Sequence, residues 1–264
     1  MPYALELVDI AKTFTEGRST KRVLDHISLH VKEGEFVSII GPSGSGKSTL
    51  FHLIGGLQQP TRGEIRMDGQ RVTGERGRIA YMPQSASLLP WLTVRANIVM
   101  ALTIAGIERG SAEAQAADWL ARVGLAAEAD AYPDTLSGGM QQRVSFLRAL
   151  LSPQRLMCLD EPFGALDALT RLHMQTWLLS LWEADRRSVL FVTHSIEEAL
   201  LLSDRIIVLS PSPATVIREI DVPFARPRSE ALWTDPSFNA YKLAIYDLLK
   251  PANGSGTPTG EVIG

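Results

Sequence analysis

Cysteine is almost absent from this chain of 264 residues, with Cys158 the single example. One thiol excludes an intrachain disulfide framework, and such usage fits a reducing compartment. Cys158 lies in the apolar run Leu156 to Leu159, where a buried and unreactive thiol is expected. Excess charge of either sign is missing as well. The formal net charge is −3 and 21% of residues are charged, so no global attraction to nucleic acid or anionic lipid follows. No apolar run approaches the about 20 residues that a membrane helix needs. The longest weakly polar stretch, Ala96 to Ile107, is too short. Met1 to Asp9 carries Glu6 and Asp9 and has no basic start followed by an apolar core, so it does not read as a signal peptide. Internal repeats are also lacking. What is present, 45% apolar residues, is an ordinary globular balance. The length suffices for one large domain or two small ones with a sizeable core.

Organisation follows from the apolar runs. Glu35 to Ile40 is short, apolar and β-branched, and it stops at Gly41 and Pro42. Leu50 to Leu57 then reads as a helix closing near Gly55 and Gly56. Arg155 to Asp160, Ser188 to Thr193 and Arg205 to Leu209 are further near-continuous runs, as expected for strands buried on both faces of a parallel sheet. Helical patterns lie between them, which argues for an α/β layered fold. Leu5 to Ile10 and Val23 to Val31 alternate apolar and polar residues, as half-buried antiparallel strands do. Leu88 to Leu151 has few strand-like runs and reads as a helical insertion. Within it Ser111 is expected to cap a helix Ala112 to Val123 that stops at Gly124. Prolines become frequent after Pro211, and a last helix is expected at about Ser237 to Lys250. Pro251 to Gly264 reads as a mobile tail.

Gly41, Pro42, Ser43, Gly44, Ser45, Gly46, Lys47, Ser48 and Thr49 match G-x-x-x-x-G-K-[ST] between a strand and a helix. The chemistry explains the pattern. Backbone N–H groups can surround a triphosphate only if side chains stay clear, so glycines line the loop. The following helix adds free N–H groups and a partial positive charge. Lys47 reaches the β- and γ-phosphates, and Ser48 offers a hydroxyl to Mg²⁺. The second half of such a nucleotide hydrolase is an apolar strand ending in an acid. Leu156 to Glu161 supplies it: Asp160 is the expected Mg²⁺ group, and Glu161 is placed to take a proton from the attacking water.

Four further segments carry a family resemblance. Leu136 to Met140 (LSGGM) resembles the signature motif of ABC ATPases, Gln84 their Q-loop, Ala165 to Asp167 their D-loop and His194 their switch histidine. The order matches the family from the first strand to about Leu209. Beside that resemblance, Ser137, Gly138 and Gly139 open a helix reaching about Leu150, and a helix start with a hydroxyl and bare backbone suits an anion. Ser195 and Glu198 are expected to form a capping box for helix Ile196 to Ser203. The remaining histidines, His26, His30, His52 and His173, have no partnered spacing and read as structural or exposed.

The resemblance implies an α/β P-loop NTPase of the ABC ATPase type: a mainly parallel sheet core, an N-terminal antiparallel β subdomain and an inserted α-helical subdomain. Residues 1–210 would form that domain with the insertion at about 88–151, residues 211–250 an extension with a last helix, and 251–264 a flexible tail. It implies ATP and Mg²⁺ as ligands, with Glu161, His194 and Gln84 at the chemistry and Ser48, Gln84 and Asp160 around the metal. Phe14 stands where the family stacks an aromatic on adenine, with core packing as the competing role. Met140 stands where the family usually has glutamine, which is expected to change tuning only. Ser137, Gly138 and Gly139 would complete the site of a second copy in a head-to-tail homodimer holding two ATPs, and Asp167 of the D-loop would belong to the nucleotide-binding residues. The family docks integral-membrane permease subunits near Gln84 to Asn97, an apolar, proline-containing stretch. That stretch and Pro223 to Arg228 (PFARPR) resemble the ATPase subunits of nitrate, sulfonate and taurine importers and of vitamin-precursor uptake systems. A solute-binding protein, a peripheral location on the cytoplasmic face of the inner membrane, and no nucleic-acid partner are implied in turn. The competing classes are a soluble ABC-type ATPase acting on nucleic acid or ribosomes, which usually carries two cassettes or long coiled-coil inserts, and a phosphate-loop kinase, which leaves Leu136 to Met140 and His194 without a purpose.

Overall fold

The structure, a computed structural model, describes residues 2–17 and 19–250. The expected tail 251–264 lies outside the described residues. In chain order the elements are β1 (Leu5–Glu16), β2 (Ser19–Val31), β3 (Phe36–Ile40), α1 (Lys47–Ile54), β4 (Arg62–Met67), β5 (Gln70–Arg71) and β6 (Ala80–Met82). There follow α2 (Val94–Ile104), α3 (Arg109–Arg122), α4 (Gly138–Leu150), β7 (Leu156–Asp160), α5 (Ala168–Ala184) and β8 (Ser188–Val192). The chain ends in α6 (Ile196–Leu202), β9 (Arg205–Leu209), β10 (Val216–Asp221) and α7 (Pro236–Leu249).

Two sheets organise the molecule. The six-stranded sheet has the order β10-β9-β3-β8-β7-β6. Its strands run parallel except β10, which is antiparallel to β9 at the edge. Every residue of β3, β7, β8 and β9 is buried, which is why each reads as an unbroken apolar run. The four-stranded sheet, β2-β1-β4-β5, is antiparallel. Its alternating residues turn one face inward. Helix α1 lies between the sheets: Leu50, Phe51 and Leu53 share a core with Leu5, Ile10 and Ile27 of one sheet and Val37 and Ile39 of the other. Each such side chain contributes about 1.5–3 kcal/mol on burial. The opposite face of the parallel sheet is covered by α4 and α5, where Phe146, Leu178 and Trp182 meet Phe36 and Phe191. A separate apolar cluster joins α2, α3 and α4 through Ile98, Leu120 and Leu147. Among the described residues no helix is long and apolar enough to cross a membrane.

The extension after β10 folds back on α6. Arg228, 6% exposed, donates to the carbonyls of Leu200, Leu201 and Ser203 at 3.2, 3.3 and 2.5 Å. These belong to the C-terminal end of α6, where a cation suits the helix dipole. Burial and the neighbouring Arg226 pull the Arg228 pKa down to about 10. Arg226 pairs with Asp204 at 2.9 Å. The Phe224 and Phe238 rings then lie 5.6 Å apart against α7.

Several local expectations need correction. Helix α3 starts at Arg109 and its cap is Glu108, whose carboxylate accepts the Ser111 N–H at 3.2 Å. The acid beat the hydroxyl because it lies three residues upstream with extended backbone. Ser195 does cap α6, accepting the Glu198 N–H at 3.2 Å, but the capping box is only half made. The Glu198 carboxylate turns inward to Thr193 instead of returning to the Ser195 N–H. His26 is exposed and structural as expected, 2.7 Å from Asp9 and also touching Arg62, across strands β1, β2 and β4. Sequence spacing cannot show pairs made between strands.

Candidate functional site

The parallel strands β3, β7 and β8 end at one rim, and the loops leaving them form the site. The loop after β3 turns into α1 at Gly46, whose backbone is left-handed at φ 95° and supplies no side-chain cap. The first N–H groups of α1 are therefore free for an anion. Gly44, at φ +74°, faces open space. On the other side a Cβ at Gly46 would stand 2.7 Å from Val23 Cγ1 and 2.9 Å from Leu24 Cδ2. Strand β2 thus presses the loop into its concave shape. Lys47 folds back over it, donating to the carbonyls of Gly41 at 2.9 Å and Pro42 at 3.0 Å. Burial lowers the Lys47 pKa, and Glu161 and Asp160 oppose that shift. A concave set of N–H groups with one cation over it fits a polyphosphate.

Asp160 ends β7 and is 2% exposed. Burial raises its pKa, partly offset by a hydrogen bond from Ser48 and the charge of Lys47. Glu161 follows in the left-handed region, at φ 49°, a strained conformation for a residue with a side chain. Its N–H is fixed on Val192 O at 2.9 Å. Its Oε2 accepts Gln84 Nε2 at 3.0 Å and lies 3.5 Å from His194 Nδ1. Gln84 comes from the segment after β6 and His194 from the segment after β8. Three distant segments therefore meet at one carboxylate. Together with Gly41, Ser43, Gly44, Gly46, Lys47, Ser48 and Thr49 they line a cavity of about 460 Å³.

The other expected site residues lie outside that cavity. Ser137 caps α4, its Oγ accepting the Met140 N–H at 3.3 Å. Gly138 and Gly139 lie against Ala165 and Leu166, and a Cβ on Gly139 would stand 3.2 Å from Leu166 Cδ2. Asp167 caps α5 by accepting the Thr170 N–H at 3.0 Å. Phe14 is 39% exposed, with Lys12 Nζ 5.0 Å from its ring, so it is not a core residue. Among the described residues no cluster of His, Cys, Asp and Glu forms a metal cage.

Two residues that the motifs do not flag support the site. Gln142, 4% exposed, donates to Glu161 O at 3.3 Å and accepts the Ala165 N–H at 3.0 Å. It holds the strained Glu161 turn against helix α4. Arg148 donates to Ser87 O, fastening the segment after Gln84 to the same helix. Beside that segment Leu57, Met100 and Ile104 line a surface groove of about 550 Å³. Trp91 stands 69% exposed nearby.

Comparison with known proteins agrees with this geometry. The family profile described as ABC transporter matches residues 24–164. The formylaminopyrimidine import ATP-binding protein of Halalkalibacterium halodurans is 47% identical over 83% of this chain and 85% of its own length. The nitrate import ATP-binding protein of Synechocystis sp. is 40% identical over 93% of this chain and 95% of its own. Among solved structures, the dimeric post-hydrolysis state of the ATP-binding cassette MJ0796, bound to ADP and Pi, superposes with a TM-score of 0.76. It is 34% identical and covers 84% of this chain and 100% of its own. The α/β phosphate-loop architecture expected from the residues is thereby borne out, and the chain belongs to the ABC transporter family as one of its ATP-binding, ATP-hydrolysing subunits.

Proposed function

We propose that the chain is the motor of a solute importer and hydrolyses ATP as one of two head-to-tail copies. The observation that carries this reading is the division of the motifs. Gln84, Glu161 and His194 converge on the cradle, while Ser137 and Asp167 of the same chain stand outside its cavity. A lone cradle is then half a site, and Ser137 with Gly138 and Gly139 would close on the γ-phosphate held by the other copy. The dimeric cassette with which the chain superposes supports the arrangement.

In this reading the loop N–H groups and Lys47 hold the phosphates and oppose their charge. Glu161 takes a proton from water as the water oxygen attacks the γ-phosphorus; ADP leaves with the bridging oxygen and phosphate departs. Gln84 and His194 orient the Glu161 carboxylate from two sides, and His194, 68% exposed, is free to turn to the γ-phosphate. Mg²⁺, when bound, would supply positive charge that offsets the charge of the phosphates. Ser48, Asp160 and Gln84 would hold it, a hydroxyl, one carboxylate and an amide oxygen that suit a hard cation retaining its waters.

Relatives named for the import of formylaminopyrimidine, nitrate and aliphatic sulfonates support an importer of small polar solutes. The work then reaches separate integral-membrane permease subunits through the surface from Gln84 to Asn97 and its groove. A solute-binding protein completes the system, and the motor sits peripherally on the cytoplasmic face of the inner membrane. The import names of these relatives disfavour an ATPase acting on nucleic acid or ribosomes. The test is Glu161→Gln with the cognate permease in proteoliposomes. Hydrolysis is expected to fall at least about 100-fold while ATP binding persists. Turnover at the wild-type rate would remove Glu161 as the base.

A further inference from the structure

Glu198 is a buried acid that the chemistry above does not use. It is 8% exposed, yet both carboxylate oxygens are engaged. Oε2 accepts the Thr193 hydroxyl at 2.5 Å, and Oε1 accepts Gln175 Nε2 at 3.0 Å. Thr193 and Gln175 are 1% and 4% exposed, so both bonds are made away from water.

The two partners lead to different parts of the site. A hydroxyl has one proton to donate. Because Thr193 gives that proton to Glu198, its lone pairs are turned to the chain, where Oγ1 accepts the Ser195 N–H at 3.0 Å. This bond closes a tight turn across the residue between them, His194. Gln175 leads the other way, along α5. One turn before it, Arg171 donates to Leu166 O at 3.0 Å, and its N–H bonds Asp167 O at 2.8 Å. The Arg171 charge also attracts Glu198.

We propose that Glu198 is a positioning residue for ATP hydrolysis: by accepting the Thr193 hydroxyl hydrogen bond it sets the turn that carries His194, and by holding Gln175 it ties that turn to α5 and to Asp167. The His194 segment and the Leu166–Asp167 turn then move as one body. Since Asp167 belongs to the surface that would face a second copy, a change there reaches His194 along the backbone of α5 and then through the side-chain bonds of Gln175, Glu198 and Thr193. The proposal rests on the reading of His194 as a γ-phosphate contact.

The test is steady-state ATPase kinetics of the full chain carrying Glu198→Met, Glu198→Gln, Gln175→Met and His194→Ala, singly and with His194→Ala as background. Glu198→Met is expected to lower kcat about tenfold with KM changed less than about twofold. Glu198→Gln keeps an oxygen for the Thr193 proton and is expected to retain most of the rate. In the His194→Ala background Glu198→Met is expected to cost nothing further, because the residue it positions is gone. Gln175→Met, which removes only the α5 side of the tie, keeps the test open should Glu198→Met fold poorly. Its smaller kcat loss is expected to vanish in the same background. A Glu198→Met chain at the wild-type rate, or losses that multiply with His194→Ala, would overturn the proposal while leaving His194 in place. A single His194→Ala chain at the wild-type rate would remove the His194 reading itself, and the proposal with it.

Discussion

At Gly46 one hydrogen atom stands where no methyl group fits. The backbone is left-handed, and Val23 and Leu24 would lie 2.7 and 2.9 Å from an added Cβ. Gly46→Ala is expected to cost on the order of 2 kcal/mol. The checks are the denaturation midpoint and a nucleotide titration, which should show weaker binding because the loop must shift to relieve the contact. Glu198 gives a pH dependence of definite sign. Burial raises its pKa above the ordinary 4.5, outweighing the hydrogen bonds and charges that lower it. The folded chain holds a proton there more readily than the unfolded one, so the wild type loses stability as pH rises from the unfolded value through the folded one. Glu198→Gln has no such titration. Its stability relative to wild type is therefore expected to rise as pH increases above the ordinary 4.5. A difference in denaturation midpoint that stays constant over that range would contradict the burial argument.

Among the elements, α7 packs on α6 and the parallel sheet through Phe238 and Ile245, and the chain before it is fastened to the end of α6 by Arg228. Arg228→Ala orphans carbonyls at the end of α6 and is expected to cost about 2–4 kcal/mol. Hydrogen exchange should then quicken along α7 while β3 and β8 stay protected. Uniform protection across all three would show that Arg228 is not the tie. The same scale explains what the residues revealed in advance. Strands β3, β7, β8 and β9 were legible because both faces are buried and the runs are unbroken. Strand β6 carries no sequence signal because three residues show no period, and β10 carries little because its edge position leaves Arg218 and Glu219 exposed. The cradle was legible because its glycines, lysine and hydroxyl are contiguous and each answers to phosphate chemistry. Gln142, Arg148 and the Glu198 ties were not, because each acts on a segment that only folding brings near. Glu108 and Ser111 are not separable in the sequence because a carboxylate and a hydroxyl can both cap a helix, and backbone direction decides between them.

For the whole molecule, what matters is how many chains make one working site. Lys47 and Ser137 stand in different parts of one chain, and only a second copy turned head to tail would bring a Ser137 to the cradle. Chains carrying Lys47→Ala lack a cradle cation, and chains carrying Ser137→Arg lack a usable closing face. Either alone should be inactive. In a mixed pair, one of the two sites combines an intact Lys47 with an intact Ser137. With random pairing of equal amounts, half the pairs are mixed and half their sites intact, so the mixture should recover about one quarter of the wild-type ATPase rate. The decisive measurement is that rate, taken for each variant alone and for the two combined. Recovery toward about one quarter is the expected result; a mixture as inactive as its parts would show that each chain works without a partner's Ser137 and would contradict the shared site.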